Sequence, residues 1–327
     1  MCRLPGLSQR YIGVTLVQHV GNQMIDKSLP ILVFGATGQQ GGSVVTALLR
    51  RGWSVRALVR DPSSTKARSL ADAGVDLKVG TFGDAPSIKA AMTGAYGVFS
   101  VQPSSPGGAV TDEEEVRYGM TIANLAVEAG VGHLVYTSGG AVRDEPSGVA
   151  HFDTKSQIEK HIRALAIRST IVRPATFMEL MTMPGFGLNE GRFEFFMRDD
   201  QKMQLIAVDD IGKIVAEVFE DPENFGGETF EIAGDAVTGR DLQKLFSRAA
   251  GRQIPYARFS TTRLSESPFL TKLTEMMDEG RLAGGANLAL MRKLNPELQT
   301  FEGWLSGPGR ASFEQALSSA DRWGFDT

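Results

Sequence analysis

The run Gly35-Ala36-Thr37-Gly38-Gln39-Gln40-Gly41 lies between the apolar stretch Ile31 to Gly35 and a helical pattern that places Val44, Val45, Leu48 and Leu49 on one stripe. A strand that turns through glycines straight into a helix leaves the chain few choices. Gly35 permits the tight turn, Gly38 lets the backbone approach a pyrophosphate, and Gly41 lets the helix pack on the strand. The helix start adds free N–H groups and the positive end of a dipole, which together attract an anion. The run therefore predicts a dinucleotide-binding βα unit, with Gly35, Thr37, Gly38, Gln39, Gln40 and Gly41 at the phosphates. Gly52 follows the helix where a terminating glycine is expected.

The alternation continues. Ser54 to Arg60, Val75 to Gly80, Tyr96 to Gln102, His133 to Ser138, Thr170 to Pro174 and Glu228 to Ala233 are β-rich runs bounded by turn residues, with helical patterns between them. One of these helices opens at the capping box Thr111-x-x-Glu114 and stops at Gly130, and another buries Ile158, Ile162 and Leu165. Alternating strands and helices predict an α/β fold: a Rossmann-type doubly wound parallel sheet. After Pro174 the regularity ends in a Met-, Phe- and Gly-rich stretch over 176–202 and a mainly helical tail with Trp304 and Trp323. We expect a nucleotide-binding domain over 30–175, to which strand 228–234 returns, and a smaller substrate or partner lobe over 176–327. Residues 1–29 form an N-terminal extension of open role, and residues 1–23 are either an upstream start or an added arm.

Charge and composition narrow the partners. With 34 Lys and Arg against 38 Asp and Glu and no basic run, the attraction that drives direct nucleic-acid binding has no source. The acidic run Asp112 to Glu115 reads as a solvated helix tip. Cys2 is the single cysteine, and the four histidines have no metal-ligand spacing, so we expect no metal, no disulfide and a cytoplasmic setting. No apolar run reaches the roughly 20 residues that span a bilayer, so no membrane association is expected.

The second strand ends in Arg60, where an NAD-selective site would place an acid on the adenosine ribose; a guanidinium there suits a 2′-phosphate and points to NADP(H), with Asp61 beside it as the opposing feature. The glycine loop, Arg60, the run His151-Phe152-Asp153-Thr154-Lys155, the run Arg173 to Glu179, and Leu294-Asn295-Pro296 with Trp304 together resemble the NmrA-like family, atypical short-chain dehydrogenases/reductases. The likeness extends over about residues 30 to 306 and is strongest to the branch of NADP(H)-sensing redox regulators. It implies that Ser138 and Lys155 stand where the superfamily keeps its catalytic serine and its ribose-binding lysine. The catalytic tyrosine position is held by His151, and none of Tyr11, Tyr96, Tyr118, Tyr136 and Tyr256 replaces it. The resemblance further implies that Thr81 and Phe82 lie on the adenine side, Val101, Gln102 and Pro103 at the fourth strand's carboxyl edge, and Thr176 and Phe177 beside the nicotinamide.

Two functions remain open at this level. Without the tyrosine, the chain reads as a dinucleotide-binding redox sensor acting on a protein partner. Alternatively it is an NADPH-dependent reductase of a quinone, enone or carbonyl, with Phe177, Met178, Leu180, Met181, Met183 and Phe186 either lining a pocket for a small apolar substrate or packing the lobe. The oligomeric state is open.

Overall fold

The computed structural model describes residues 25–104 and 108–319. The N-terminal extension before residue 25, with Cys2, Tyr11 and His19, and Trp323 lie outside the described residues. In chain order the first half comprises β1 (Ile31–Val33), α1 (Gln39–Arg50), β2 (Val55–Val59), α2 (Thr65–Asp72), β3 (Asp76–Val79), α3 (Ala85–Met92), β4 (Gly97–Ser100), α4 (Asp112–Glu128), β5 (His133–Thr137), α5 (Ala150–Ala164) and β6 (Ser169–Pro174). The second half comprises β7 (Thr176–Phe177), β8 (Phe193–Phe195), β9 (Lys202–Ile206), α6 (Val208–Glu220), α7 (Pro222–Phe225), β10 (Thr229–Ile232), β11 (Asp235–Thr238), α8 (Gly239–Ala250), β12 (Tyr256–Arg258), α9 (Thr261–Glu266), α10 (Pro268–Asp278), α11 (Leu288–Leu294), α12 (Phe301–Ser306) and α13 (Arg310–Ser318).

Seven strands form one parallel sheet in the order β10-β6-β5-β4-β1-β2-β3. The expected Rossmann-type doubly wound sheet is the fold, and β10 returns to its edge beside β6. Strand order reverses at β1, between β4 and β2, so a crevice opens outside the carboxyl ends of β1 and β4. Both faces are covered: Ile31, Val33, Val44, Leu48 and Val215 belong to one apolar cluster and Leu32, Phe34, Ile122, Leu134 and Ile158 to the other. The strands are therefore apolar throughout rather than alternating. Except for β6, which starts one residue before its predicted limit, they stop a residue or two inside those limits; β1 ends early because Gly35 adopts φ +63.

The C-terminal half is mainly helical, as expected, and also contains two small sheets, β11-β9-β7 and β12-β8. Their signal is two-residue alternation in very short runs: Phe193 and Phe195 point inward around Glu194, and Met203 and Leu205 around Gln204. An aromatic cluster fills this half, with Phe193 stacked near Phe195 and Phe246 against Phe313. The tail motif earns its place structurally. Asn295 Nδ2 donates to the fully buried Asp210 (2.7 Å), Gln299 N donates to the same carboxylate (2.9 Å), and Leu294 packs beside Met291. These bonds hold the C-terminal segment against α6.

Candidate active site

Helix α1 begins at Gly38, whose backbone caps it without any side-chain hydrogen bond, and its first turn contains no acid. Space there is set by missing side chains. A Cβ on Gly41 would lie 2.2 Å from the Gly35 carbonyl oxygen, and one on Gly35 would lie 2.8 Å from Val101 Cγ1. The glycines thus bring the end of β1, the start of α1 and the end of β4 together and leave an uncapped helix terminus facing the crevice, a geometry that fits a pyrophosphate. Gln40 Oε1 accepts from Thr137 Oγ1 (2.8 Å), tying this turn to the end of β5. Arg60, directly after β2, and Thr81, after β3, are exposed. Asp61 is engaged elsewhere, its Oδ1 accepting from Ser63 N (2.8 Å) and Ser63 Oγ (2.6 Å). Phe82 is half-buried, its ring beside those of Phe34 and Tyr118.

On the other side of the crevice α4 and α5 cross at Gly119, where an added Cβ would sit 2.6 Å from Ile158 Cδ1. Close approach has a consequence one turn away on each helix: Glu115 meets Lys155, with Nζ donating to Oε1 at 2.6 Å. Glu115 is 1% exposed and Lys155 8%, so the pair is buried. This corrects the solvated-tip expectation for the acidic run. The helix start is capped by Thr111 and Glu114 as predicted, but Glu115 falls on the buried stripe with Gly119, Ile122 and Ala126. That stripe was the available signal.

Lys155 Nζ also donates to Ser104 Oγ (3.2 Å) and the His151 carbonyl (3.2 Å), and lies 3.4 Å from His151 Nδ1. Ser104 Oγ is 2.9 Å from the same Nδ1. An ammonium can only donate, so Nδ1 accepts and the neutral ring carries its proton on Nε2. Burial, then the Lys155 charge, pushes the His151 pKa down to about 3, while burial also lowers that of Lys155 against the pull of Glu115. The turn before α5 is held by Asp153, which accepts from Ser147 N, Ser147 Oγ and Gly148 N. Ser138 lies on the crevice wall, with its hydroxyl donated to the buried Glu159 (2.5 Å). Glu159 also receives Arg173 through two bonds (2.9 and 2.6 Å) and a contact from Arg163.

A cavity of about 490 Å³ joins these groups. Gln39, Gln40, Val101, Gln102, Ser138, His151, Lys155, Thr176 and Phe177 line it together; Gly35, Thr37, Gly38, Gly41, Pro103, Arg60, Thr81 and Phe82 do not. Gln102 Nε2 is bonded to Ser100 Oγ (2.7 Å), and Thr176 Oγ1 to Met203 Sδ (3.6 Å). The apolar wall is divided differently from expectation: Phe177, Leu180, Met183 and Phe186 reach the cavity, whereas Met178 and Met181 are fully buried in the lobe core. Their spacing in the short turn Met178–Thr182 sends them inward. Phe195, Phe196, Leu273 and Arg281 complete the wall from elements far along the chain, and Tyr136 contributes a phenol whose pKa is raised well above normal by burial and by Glu115 and Glu159. Sequence reading missed these residues. Among the described residues no group of His, Cys, Asp or Glu could hold a metal ion, and no helix is long and apolar enough to cross a membrane.

Comparison with known proteins agrees with this architecture. The chain is 30% identical over 259 residues to the NmrA-like family domain-containing oxidoreductase malD of Malbranchea aurantiaca, covering 71% of this chain and 76% of malD. The fold matches NmrA, a negative transcriptional regulator solved in complex with NADP (TM-score 0.73, 20% identity, 88% of this chain and 97% of that one). It also matches an NADPH-dependent quinone oxidoreductase from Escherichia coli (TM-score 0.69, 23% identity, 84% and 98%). Residues 27–305 match the NmrA-like family model, so the glycine turn, the Lys155 helix and the Asn295 tail are parts of one familial framework, and the chain belongs to the NmrA-like family.

Proposed function

We propose that this protein is an NADP(H)-dependent reductase of a hydrophobic quinone, enone or carbonyl compound. One observation carries the reading: a single cavity runs from the start of α1, through Lys155 and His151, to a wall of Phe177, Leu180, Met183 and Phe186. The uncapped α1 terminus and the glycine spacing suit the pyrophosphate. Arg60, exposed and with Asp61 turned to Ser63, suits a 2′-phosphate. Names among the relatives point the same way, several being oxidoreductases.

Bound NADPH supplies a hydride. The chain's part is to orient and to exclude water. Lys155, held by Glu115 and Ser104, would present a fixed ammonium to the nicotinamide ribose. His151 keeps its proton on Nε2, which has no partner among the described residues, and donates it as a hydrogen bond to an acceptor oxygen as charge develops there. A ring held neutral is a weak source of a whole proton, which suits quinones and enones, acceptors with little need of a positioned acid.

The redox-sensor reading has its own support in the same residue: the tyrosine is replaced by a histidine whose protonation burial disfavours. The deciding experiment follows NADPH absorbance with a panel of quinones, enones and aldehydes, alongside NADPH and NADH binding by wild type and Arg60→Glu. Turnover is expected, and the variant should lose NADPH affinity about tenfold more than NADH affinity. NADPH binding without turnover on any acceptor would leave the sensor reading in place. Equal losses for both nucleotides would remove the 2′-phosphate argument.

A further inference from the structure

Nearly every charged side chain lining the cavity has a protein partner, as do most of the neutral polar ones, Gln39 and the Tyr136 phenol having none among the described residues. Lys155 has Glu115; Ser104 has His151; Thr137 has Gln40; Ser138 has Glu159. Glu179 accepts from Val208 N at 3.1 and 3.3 Å. Gln204 is held by the loop that faces it, its Nε2 donating to the Ala286 carbonyl (2.9 Å) and its Oε1 accepting from Ala286 N (2.8 Å). Arg281 is different. It lines the cavity and is half-buried, and its guanidinium has neither hydrogen bond nor ion pair among the described residues.

Its position is built rather than incidental. Helix α10 ends in a Schellman turn: Gly280 adopts φ +79, Gly280 N donates to Met277 O (3.0 Å) and Arg281 N to Met276 O (2.9 Å). Beyond it, Gln204 N donates to Ala283 O (2.9 Å), and Gly284 passes so close to Gln204 that a Cβ would meet its side chain at 2.6 Å. Leu282 packs with the cluster of Val142, Phe152 and Met276. The backbone on both sides of Arg281 is thus pinned, which fixes the residue on the cavity wall. An unpaired guanidinium at a largely apolar surface holds an unmet demand for an acceptor, and a carboxylate, sulfonate or phenolate meets it with charge-assisted bonds.

We infer that Arg281 is an anion-recognition residue, and that the cavity takes aromatic or otherwise apolar compounds bearing one acidic group. The inference rests on the cavity being the acceptor site, and it names that acceptor's class. The test uses two fluorescent probes of one skeleton, anilinonaphthalene sulfonate and uncharged phenylnaphthylamine, titrated into wild type, Arg281→Gln and Arg281→Lys. The readout is the ratio of the two affinities, which a general loss of folding leaves unchanged. Wild type should favour the sulfonate, Arg281→Gln should cut that preference about tenfold or more, and Arg281→Lys should retain part of it. Equal affinities in wild type, or a ratio indifferent to Arg281→Gln, would overturn the assignment. The acceptor panel then separates the two claims: a ratio that behaves as expected with no NADPH turnover keeps the anion site and removes the reductase reading. Turnover that does not distinguish carboxylated from plain cinnamaldehyde, together with an indifferent ratio, does the reverse.

Discussion

Lys155 cannot be understood apart from Glu115. Taking either charge out of water is costly, and here the cost is offset only by the 2.6 Å pair and the bonds to Ser104 and the His151 carbonyl. A Lys155→Met substitution leaves a carboxylate in a site where it is 1% exposed, and we expect a loss of about 3–5 kcal/mol of stability, read by urea unfolding. Adding Glu115→Gln should restore most of that loss while leaving NADPH binding weak. If the double variant bound NADPH as wild type does, Lys155 would have no ribose role; if it were no more stable than the single variant, the pair would not be the source of the loss. The lysine was legible from its motif. Its partner was not, because it lies 40 positions away and meets Lys155 only through the crossing of two helices.

At the scale of elements, α1 and α6 lie so close that no side chain separates them at Gly212: a Cβ there would fall 2.2 Å from Ser43 Oγ and 2.4 Å from the Ser43 carbonyl oxygen. Backbone cannot yield as a flexible side chain does, so Gly212→Ala must push the helices apart. The expected cost is about 1–3 kcal/mol in thermal or urea unfolding. NADPH affinity should fall with it, since α1 begins at the glycine turn proposed to hold the pyrophosphate. Unchanged stability would mean the helices slide without cost. Existence and order of the main-sheet elements followed from periodicity, since buried parallel strands are continuous apolar runs bounded by glycines and acids. The strands β8, β9 and β11 were harder to see because three to five residues of alternation do not rise above a loop.

For the molecule as a whole, two histidines link folding to pH. His133 is fully buried on β5; Thr170 Oγ1 donates to Phe225 O (2.6 Å) and so must accept from His133 Nε2 (2.8 Å), leaving His133 Nδ1 buried without a partner. Burial first, and nearby Arg168 second, holds its pKa at about 3, and burial does the same to His151. Both lie below the unfolded value of 6.5, so between 6.5 and 3 the unfolded chain binds protons that the folded chain does not. Their contribution is complete above pH 6.5 and is lost as pH falls toward 3. Melting temperature should therefore decline from pH 7 to pH 4, with a shallower slope in His133→Gln; a flat profile over that range would contradict the buried neutral state.

Local sequence by itself determined the glycine turn, the order of strand and helix in the central sheet, the helix caps and the arginine after β2, because each depends on neighbours within a few residues. Tertiary structure alone decided that the buried Glu115 meets Lys155, that Ser138 is spent on Glu159, which methionines reach the cavity, and that Arg281 stands on its wall without a partner. Those outcomes depend on which distant side chains share a small volume of low dielectric. Burial and pairing there are set by how helices cross and loops close, and spacing along the chain does not encode them.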